Sequence, residues 1–230
     1  MHAPLTWSSV EPVIEGLFIV LEGNDGVGTT THTRLLADAL RGRGLPITTT
    51  REPSDGPVGV LVRQILSGRV VVPGISGNRP SSWSTMALLF AADRLDHIEA
   101  TIHPNLMDGV TVISDRYVHS SVAYQSVTGG GEAETVAWVR EINRHARRPD
   151  LTIVLDVSAE ESARRRQERE SGREIYDDAE LQTELSVFYS DIERHFPEHN
   201  IVHVDASGTI EDTAAEILRQ VRILRREEEP

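Results

Sequence analysis

The sequence predicts an α/β fold, a three-layer sandwich with a five-stranded parallel sheet between two layers of helices. Three observations carry this prediction. Five short apolar or β-branched runs alternate with stretches of helical period. The first run, Leu17-Phe18-Ile19-Val20-Leu21, is apolar at every position, as a strand buried on both faces must be. That run leads straight into a glycine-rich turn, Gly23-Asn24-Asp25-Gly26-Val27-Gly28, and then into a helical stretch. Strand alternating with helix implies a parallel sheet covered on both faces.

The elements follow in order. Residues 1–16 are polar and contain proline, and read as an extension outside a single domain spanning 17–226. After the glycine turn, Leu35, Leu36, Ala39 and Leu40 recur at helical spacing and stop at Gly42–Gly44. Further strands are predicted at Ile47–Thr50, Val110–Ser114, Leu151–Val157 and Ile201–Val204. Helical stretches separate them at 58–67, 83–107, 133–146, 159–170, 178–195 and 211–226. Val70–Pro80 and Ser126–Gly131 read as loops, and the terminal RREEEP as frayed.

Composition narrows the function. No apolar run is long enough to span a bilayer, and the N-terminus has neither the basic start nor the apolar middle of a secretory leader, so the cytoplasm is the default compartment. Without cysteine there are no disulfides, thiolate metal sites or cysteine nucleophiles. A net charge of −13 repels nucleic-acid polymers and anionic membranes, so a small anionic ligand needs local positive charge. All 23 basic residues are arginine.

The turn supplies an anion site. A glycine-rich loop between a buried strand and a helix aims successive backbone N–H groups at one point, and the helix N-terminus adds its positive end. The pattern G-x-x-x-x-G-K-[ST] is met at Gly23, Gly28 and Thr30, but Thr29 stands where the lysine belongs. The bland reading of a chain without lysine is compositional drift towards arginine, but drift alone would put arginine at position 29, not threonine. The loop residues expected to hold a nucleotide are Gly23, Asn24, Gly26, Val27, Gly28, Thr29, Thr30 and Thr31, with the Thr30 hydroxyl offered to magnesium. Asp25 must face something other than phosphate; alone, it reads equally as a turn aspartate.

Other motifs follow in a fixed order: TREP at 50–53, LLFAADR at 88–94, SDRYVHSSVAYQ at 114–125, PDLTIVLDV at 149–157 and ARRRQERESGREIYDD at 163–178. Phe90 and Arg94 are four apart and share a helical face. Asp115 and Arg116 close a strand beside the loop, where ligands bind in such sheets; Asp115 is placed to hold magnesium and Arg116 to bridge phosphoryl groups. Arg164, Arg165, Arg166, Arg169 and Arg173 alternate with glutamates, which alone would read as a solvated, salt-bridged helix. Read singly, Arg51 is a surface arginine, Phe90 core and Tyr124 a half-buried structural tyrosine.

With the loop, these motifs resemble thymidylate kinases, nucleoside-monophosphate kinases of the phosphate-loop type, from Leu17 to about Leu224. The resemblance implies transfer of the γ-phosphoryl of ATP to thymidine 5′-monophosphate with Mg²⁺, in a homodimer. It implies that Asp25 faces the acceptor sugar and phosphate, that Arg51, Glu52 and Pro53 shape the acceptor pocket, that Phe90 stacks on the base and that Arg94 bonds its edge. Ser121 and Gln125 are expected near the thymine edge, Tyr124 near C2′ of the sugar, and Ser120 in the same pocket. The segment 163–177 becomes a lid, with Arg165, Arg169 and Arg173 as its catalytic arginines together with Asp25 and Arg116. Gly26 stands where one branch of the family carries a catalytic arginine, so the lid must supply it. His32 replaces a glutamine, and TREP runs into Ser54-Asp55-Gly56 instead of paired glycines. Two alternatives stand beside this reading: a nucleotide-binding module that has lost catalysis, and a kinase for another pyrimidine monophosphate.

Overall fold

The computed structural model describes residues 15–74, 77–167, 176 and 178–227. Strand β1 (Phe18–Glu22) leads through the glycine loop into α1 (Thr29–Arg41). Then come β2 (Ile47–Arg51), α2 (Pro57–Leu66), α3 (Trp83–His97), α4 (His103–Met107) and β3 (Thr111–Asp115). The chain continues with α5 (Val118–Thr128), α6 (Ala133–Ile142), β4 (Leu151–Asp156), α7 (Ala159–Gln167), α8 (Ala179–Tyr189), β5 (Ile201–Asp205) and α9 (Ile210–Leu224). The strands form one parallel sheet in the order β2-β3-β1-β4-β5, as expected.

Alternate residues of a strand point to opposite faces. Phe18 and Val20 join Val112 and Val154 in a core shared with α5, α6 and α8. Ile19 and Leu21 join Ile113 and Ile153 in a second core under α1 and α9. The first run is apolar throughout because both of its faces are covered. Each such side chain contributes about 1.5–3 kcal/mol relative to exposure. From β1 the chain first builds β2 and β3 on one side and later β4 and β5 on the other, so the end of β1 is the crevice where ligands bind in sheets of this kind. There Leu21 pairs with Asp115.

The structure departs from expectation in four places. Helix α5 was not among the expected helices, and it extends to Thr128, into the expected loop 126–131. It is buried nearly all round, from Val118 and His119 to Gln125 and Ser126, so it has no polar face and no amphipathic period. The expected helix 83–107 is broken by a π-turn at Ile98–Ile102 just before Pro104, whose missing N–H cannot continue the ladder. The stretch 178–195 divides into α8 and a 3₁₀ turn, Ile192–His195. At the margins, Gly16 N donates to Leu106 O (2.8 Å) and Glu15 pairs with Arg147 (2.7 Å), so these two residues of the expected extension already touch the domain.

The edge strand β5 is tied to its neighbours by a titrating group. His203 Nδ1 lies 2.7 Å from Asp156 Oδ2, and Nε2 lies 3.3 Å from Glu193 Oε2. The Asp156 bond, with Glu193 beside it, raises the pKa of His203 above the ordinary 6.5. A raised folded-state pKa adds stability that is complete below the unfolded pKa and is lost as pH rises through the folded one. His203→Asn is therefore expected to lower Tm more at about pH 6 than at about pH 8.5. An equal loss at both pH values would show that the histidine's charge does not contribute.

Candidate active site

The loop after β1 has the geometry of an anion cradle. Gly23 adopts φ 142°, and a Cβ there would meet Leu155 O at 2.8 Å. Gly28, at φ 101°, turns the chain into α1, whose first turn carries no acidic residue to compete for its free N–H groups. Thr29 is buried at the first position of that helix. Asn24 anchors the loop from beneath: its Nδ2 donates to Gln182 O (2.8 Å) and Ser186 Oγ (2.7 Å) of α8, and its Oδ1 accepts from Asp25 N (2.9 Å). His32 lies buried below the loop, and burial lowers its pKa, favouring the neutral ring.

Asp25 and Arg116 close one end of the site. Arg116 Nη2 donates to Asp25 Oδ1 (2.6 Å), and Nη1 donates to Gly23 O (2.8 Å) and Ser120 Oγ (3.1 Å). Gln182 Nε2 donates to the other Asp25 oxygen (2.9 Å). The carboxylate inside the loop thus faces a guanidinium. Arg116 itself sits at φ 69°, a left-handed conformation uncommon outside glycine.

The two residues expected to hold magnesium are in contact. The Thr30 hydroxyl donates to Asp115 Oδ2, while the buried Asp115 Oδ1 has no partner among the described residues. No group of three or more His, Cys, Asp or Glu that could hold a metal is found among those residues. One carboxylate, one hydroxyl and a spare oxygen suit Mg²⁺, which takes few protein ligands and completes its shell with phosphates and water.

Beyond Arg116 opens a cleft of about 560 Å³. Its lining includes Asp25, Glu52, Pro53, Phe90, Arg94, Arg116, Ser120, Ser121, Tyr124 and Gln125, every expected acceptor residue except Arg51. The sequence departure after TREP explains Arg51. It pairs with Asp55 at 2.9 Å, as does Arg63 at 3.1 Å, and it lines a separate cavity beside Thr30 and Asp115. Ser54, bonded through N (2.7 Å) and Oγ (2.5 Å) to the buried Asp93, pins this turn to α3.

Glu52 is more than a wall of the pocket. Its carboxylate meets Arg94 Nη2 at 2.5 Å and His97 Nδ1 at 3.2 Å. Arg94 is 1% exposed. It also donates to Ser121 Oγ (2.9 Å) and to Asn143 Oδ1, while its Nε–H and the Gln125 Oε1 have no partner among the described residues. An unused donor and an unused acceptor therefore belong to two side chains of one cleft. The Tyr124 ring lies 5.5 Å from the Arg116 guanidinium and 5.3 Å from the ring of Tyr176.

Of the lid arginines, Arg169 and Arg173 lie outside the described residues. Arg165 reaches the loop: Nη1 is 3.5 Å from Val27 O and Nη2 is 3.0 Å from Ala206 O, with Nε on Glu161 at 2.6 Å. Sequence reasoning missed Glu22, Asn143, Tyr176 and Gln182. The buried Glu22 closes an otherwise apolar strand, a signal that was present but unused. The other three have no local signature.

Comparison with known proteins agrees with this geometry. A family model described as thymidylate kinase matches residues 21–217. The chain belongs to the thymidylate kinase family. It is 39% identical over 209 residues to a "Probable thymidylate kinase" of Pyrococcus horikoshii, covering 91% of this chain and 97% of that protein. It is 40% identical over 206 residues to a "Probable thymidylate kinase" of Thermococcus onnurineus, covering 89% and 97%. It is 38% identical over 205 residues to a "Thymidylate kinase" of Symbiobacterium thermophilum, covering 89% and 92%.

Proposed function

We propose that the chain transfers the γ-phosphoryl of ATP to thymidine 5′-monophosphate, with arginines taking the part of the loop lysine. The observation that carries this reading is the Arg116–Asp25 pair at 2.6 Å, the junction of the phosphate loop and the cleft. Phosphoryl transfer needs two anions held in line with their charge offset, and little acid–base chemistry. The loop amides and the α1 N-terminus cradle the donor phosphates. Arg116 offsets charge between donor and acceptor, and Arg165, with Arg169 and Arg173, offsets it from the lid. Thr30 and Asp115 would hold Mg²⁺, which when bound neutralises phosphate charge. Phe90 offers the base a face. The Arg94 Nε–H and Gln125 Oε1, buried in the cleft wall and unpartnered among the described residues, are a donor and an acceptor of the kinds that a thymine edge, with its carbonyl and N–H, would need. Tyr124, which lines the cleft, is given the place beside C2′ of the sugar, where its ring would disfavour a ribose 2′-hydroxyl.

Thr29 is compatible with this chemistry. One charged contact contributes roughly 1.5–3 kcal/mol, or about one to two decades in rate. The backbone cradle does not depend on that side chain. We further infer a cytoplasmic homodimer. No helix among the described residues is long and apolar enough to cross a membrane. Val60 and Leu61 of α2, and Leu88 and Leu95 of α3, leave apolar groups exposed on adjoining helices.

A panel of nucleoside monophosphates with ATP and Mg²⁺, read as diphosphate formed, tests the function. Deoxythymidylate is expected to be preferred, and Tyr124→Ala to relax that preference towards uridylate. Arg165→Ala is expected to lower kcat by about tenfold or more, and Thr29→Lys to raise it by no more than about tenfold. ATP binding without turnover, restored by Thr29→Lys, would identify a lapsed kinase instead. Light scattering of the same sample is expected to give twice the chain mass, and cell fractionation to recover the chain with cytosolic markers; a monomer or a membrane-bound pool would sink those inferences.

A further inference from the structure

Arg116 has to be held. Its backbone is left-handed at φ 69°, a strained conformation outside glycine, and its guanidinium reaches Asp25. One of the groups that hold it, Ser120, leads back to Glu22, a fully buried carboxylate at the end of β1 with no role in the chemistry above. Glu22 Oε1 accepts the backbone N–H groups of Tyr117 (2.7 Å) and Ser120 (3.2 Å). It thereby caps α5, whose N-cap residue Tyr117 supplies no side-chain cap of its own. Glu22 Oε2 accepts the hydroxyls of Ser120 (2.6 Å) and Tyr189 (3.1 Å). A serine hydroxyl has one proton. With that proton given to Glu22, Ser120 Oγ presents lone pairs to Arg116 Nη1 at 3.1 Å.

We propose that Glu22 is the positioning residue for Arg116 and acts through the Ser120 hydroxyl. The carboxylate orients the hydroxyl, the hydroxyl holds one arm of the guanidinium, and the other arm is left on Asp25. This rests on the kinase reading for its kinetic consequences, but not for its geometry.

Ser120→Ala keeps both backbone bonds to Glu22 and removes the hydroxyl's links to Glu22 Oε2 (2.6 Å), Tyr189 OH (3.0 Å) and Arg116 Nη1 (3.1 Å). It is expected to fold with a Tm lowered about as much as in Tyr189→Phe, and to lose about tenfold in kcat, with KM for both nucleotides changed by less than about threefold, because the charge that Arg116 meets develops in the transition state. Ser120→Thr, which keeps the hydroxyl, is expected to recover most of the loss. Glu22→Gln is expected to lower kcat similarly and Tm as well. Tyr189→Phe removes a different Glu22 donor (3.1 Å) and a contact with the Ser120 hydroxyl (3.0 Å) but leaves the Glu22–Ser120–Arg116 links in place, so it is expected to lower Tm and leave kcat unchanged. Wild-type kcat in Ser120→Ala, a loss confined to KM, or a Glu22→Gln protein that loses Tm and not kcat would each overturn the proposal. A crystal structure of the Ser120→Ala protein separates this failure from a failure of the kinase reading. The guanidinium is expected to leave Gly23 O and Asp25 Oδ1, and finding it still on both would refute the positioning role whatever the substrate.

Discussion

Arg116→Ala is expected to turn over about 10²–10³-fold more slowly than wild type, with KM for ATP and for the acceptor little changed. The size follows from where the side chain sits. It bonds both the loop, at Gly23 O (2.8 Å), and the loop's carboxylate, at Asp25 Oδ1 (2.6 Å), while lining the cleft proposed for the acceptor. Removing one preorganised donor aimed at developing charge costs about 10²–10³ in kcat, or about 3–4 kcal/mol. In a loop without its lysine, less positive charge remains to compensate. Arg116→Lys tests geometry against charge. A lysine keeps the charge but cannot bond Asp25 and Ser120 through two separate nitrogens, so it is expected to recover only part of the rate. A fall of less than threefold in Arg116→Ala, measured as single-turnover diphosphate formation, would move the transferring group away from this residue.

Glu52→Ala is expected to destabilise the fold by about 3–5 kcal/mol, the cost of leaving a buried charge without its partner. Arg94 is 1% exposed, and Glu52 is its carboxylate counter-ion at 2.5 Å. The remaining contacts of Arg94, Ser121 and Asn143, are neutral and cannot replace that charge. Arg51→Ala, one residue away, is the contrast. Its ion pair with Asp55 joins side chains 58% and 77% exposed, so the loss is expected to stay within about 1 kcal/mol. Chemical denaturation of both variants measures the difference directly. Comparable losses would mean that Arg94 finds another anion or water when Glu52 is removed. Because Arg94 lines the cleft, the surviving Glu52→Ala protein is also expected to bind the acceptor more weakly.

What was legible in the sequence was local. Periodicity separates strands buried on both faces from helices with one wet face, and a glycine loop between the two needs only adjacent residues to cradle an anion. Motifs in a fixed order were enough to name the family. Helix α5 was not legible because nothing about it is amphipathic. Its polar residues, Ser120, Ser121 and Gln125, turn towards the site instead of water, so the period that marks a helix is erased by the function it serves.

The sequence by itself determined the layered sheet, the loop with Thr29 in the lysine's place, and the set of side chains brought to the crevice. Only the tertiary structure decided what those side chains do to one another. Arg51 and Glu52 are neighbours, yet one pairs at the surface with Asp55 and the other is buried against Arg94, because successive residues leave a strand end on opposite sides and the Asp93-anchored turn offers a carboxylate on only one of them. Gln182 reaches Asp25 across 157 positions of chain, and Glu22 reaches Ser120 across 98. No periodicity spans such distances. A hydrogen bond depends on angstroms between atoms, and those are settled only when the helices close over the sheet.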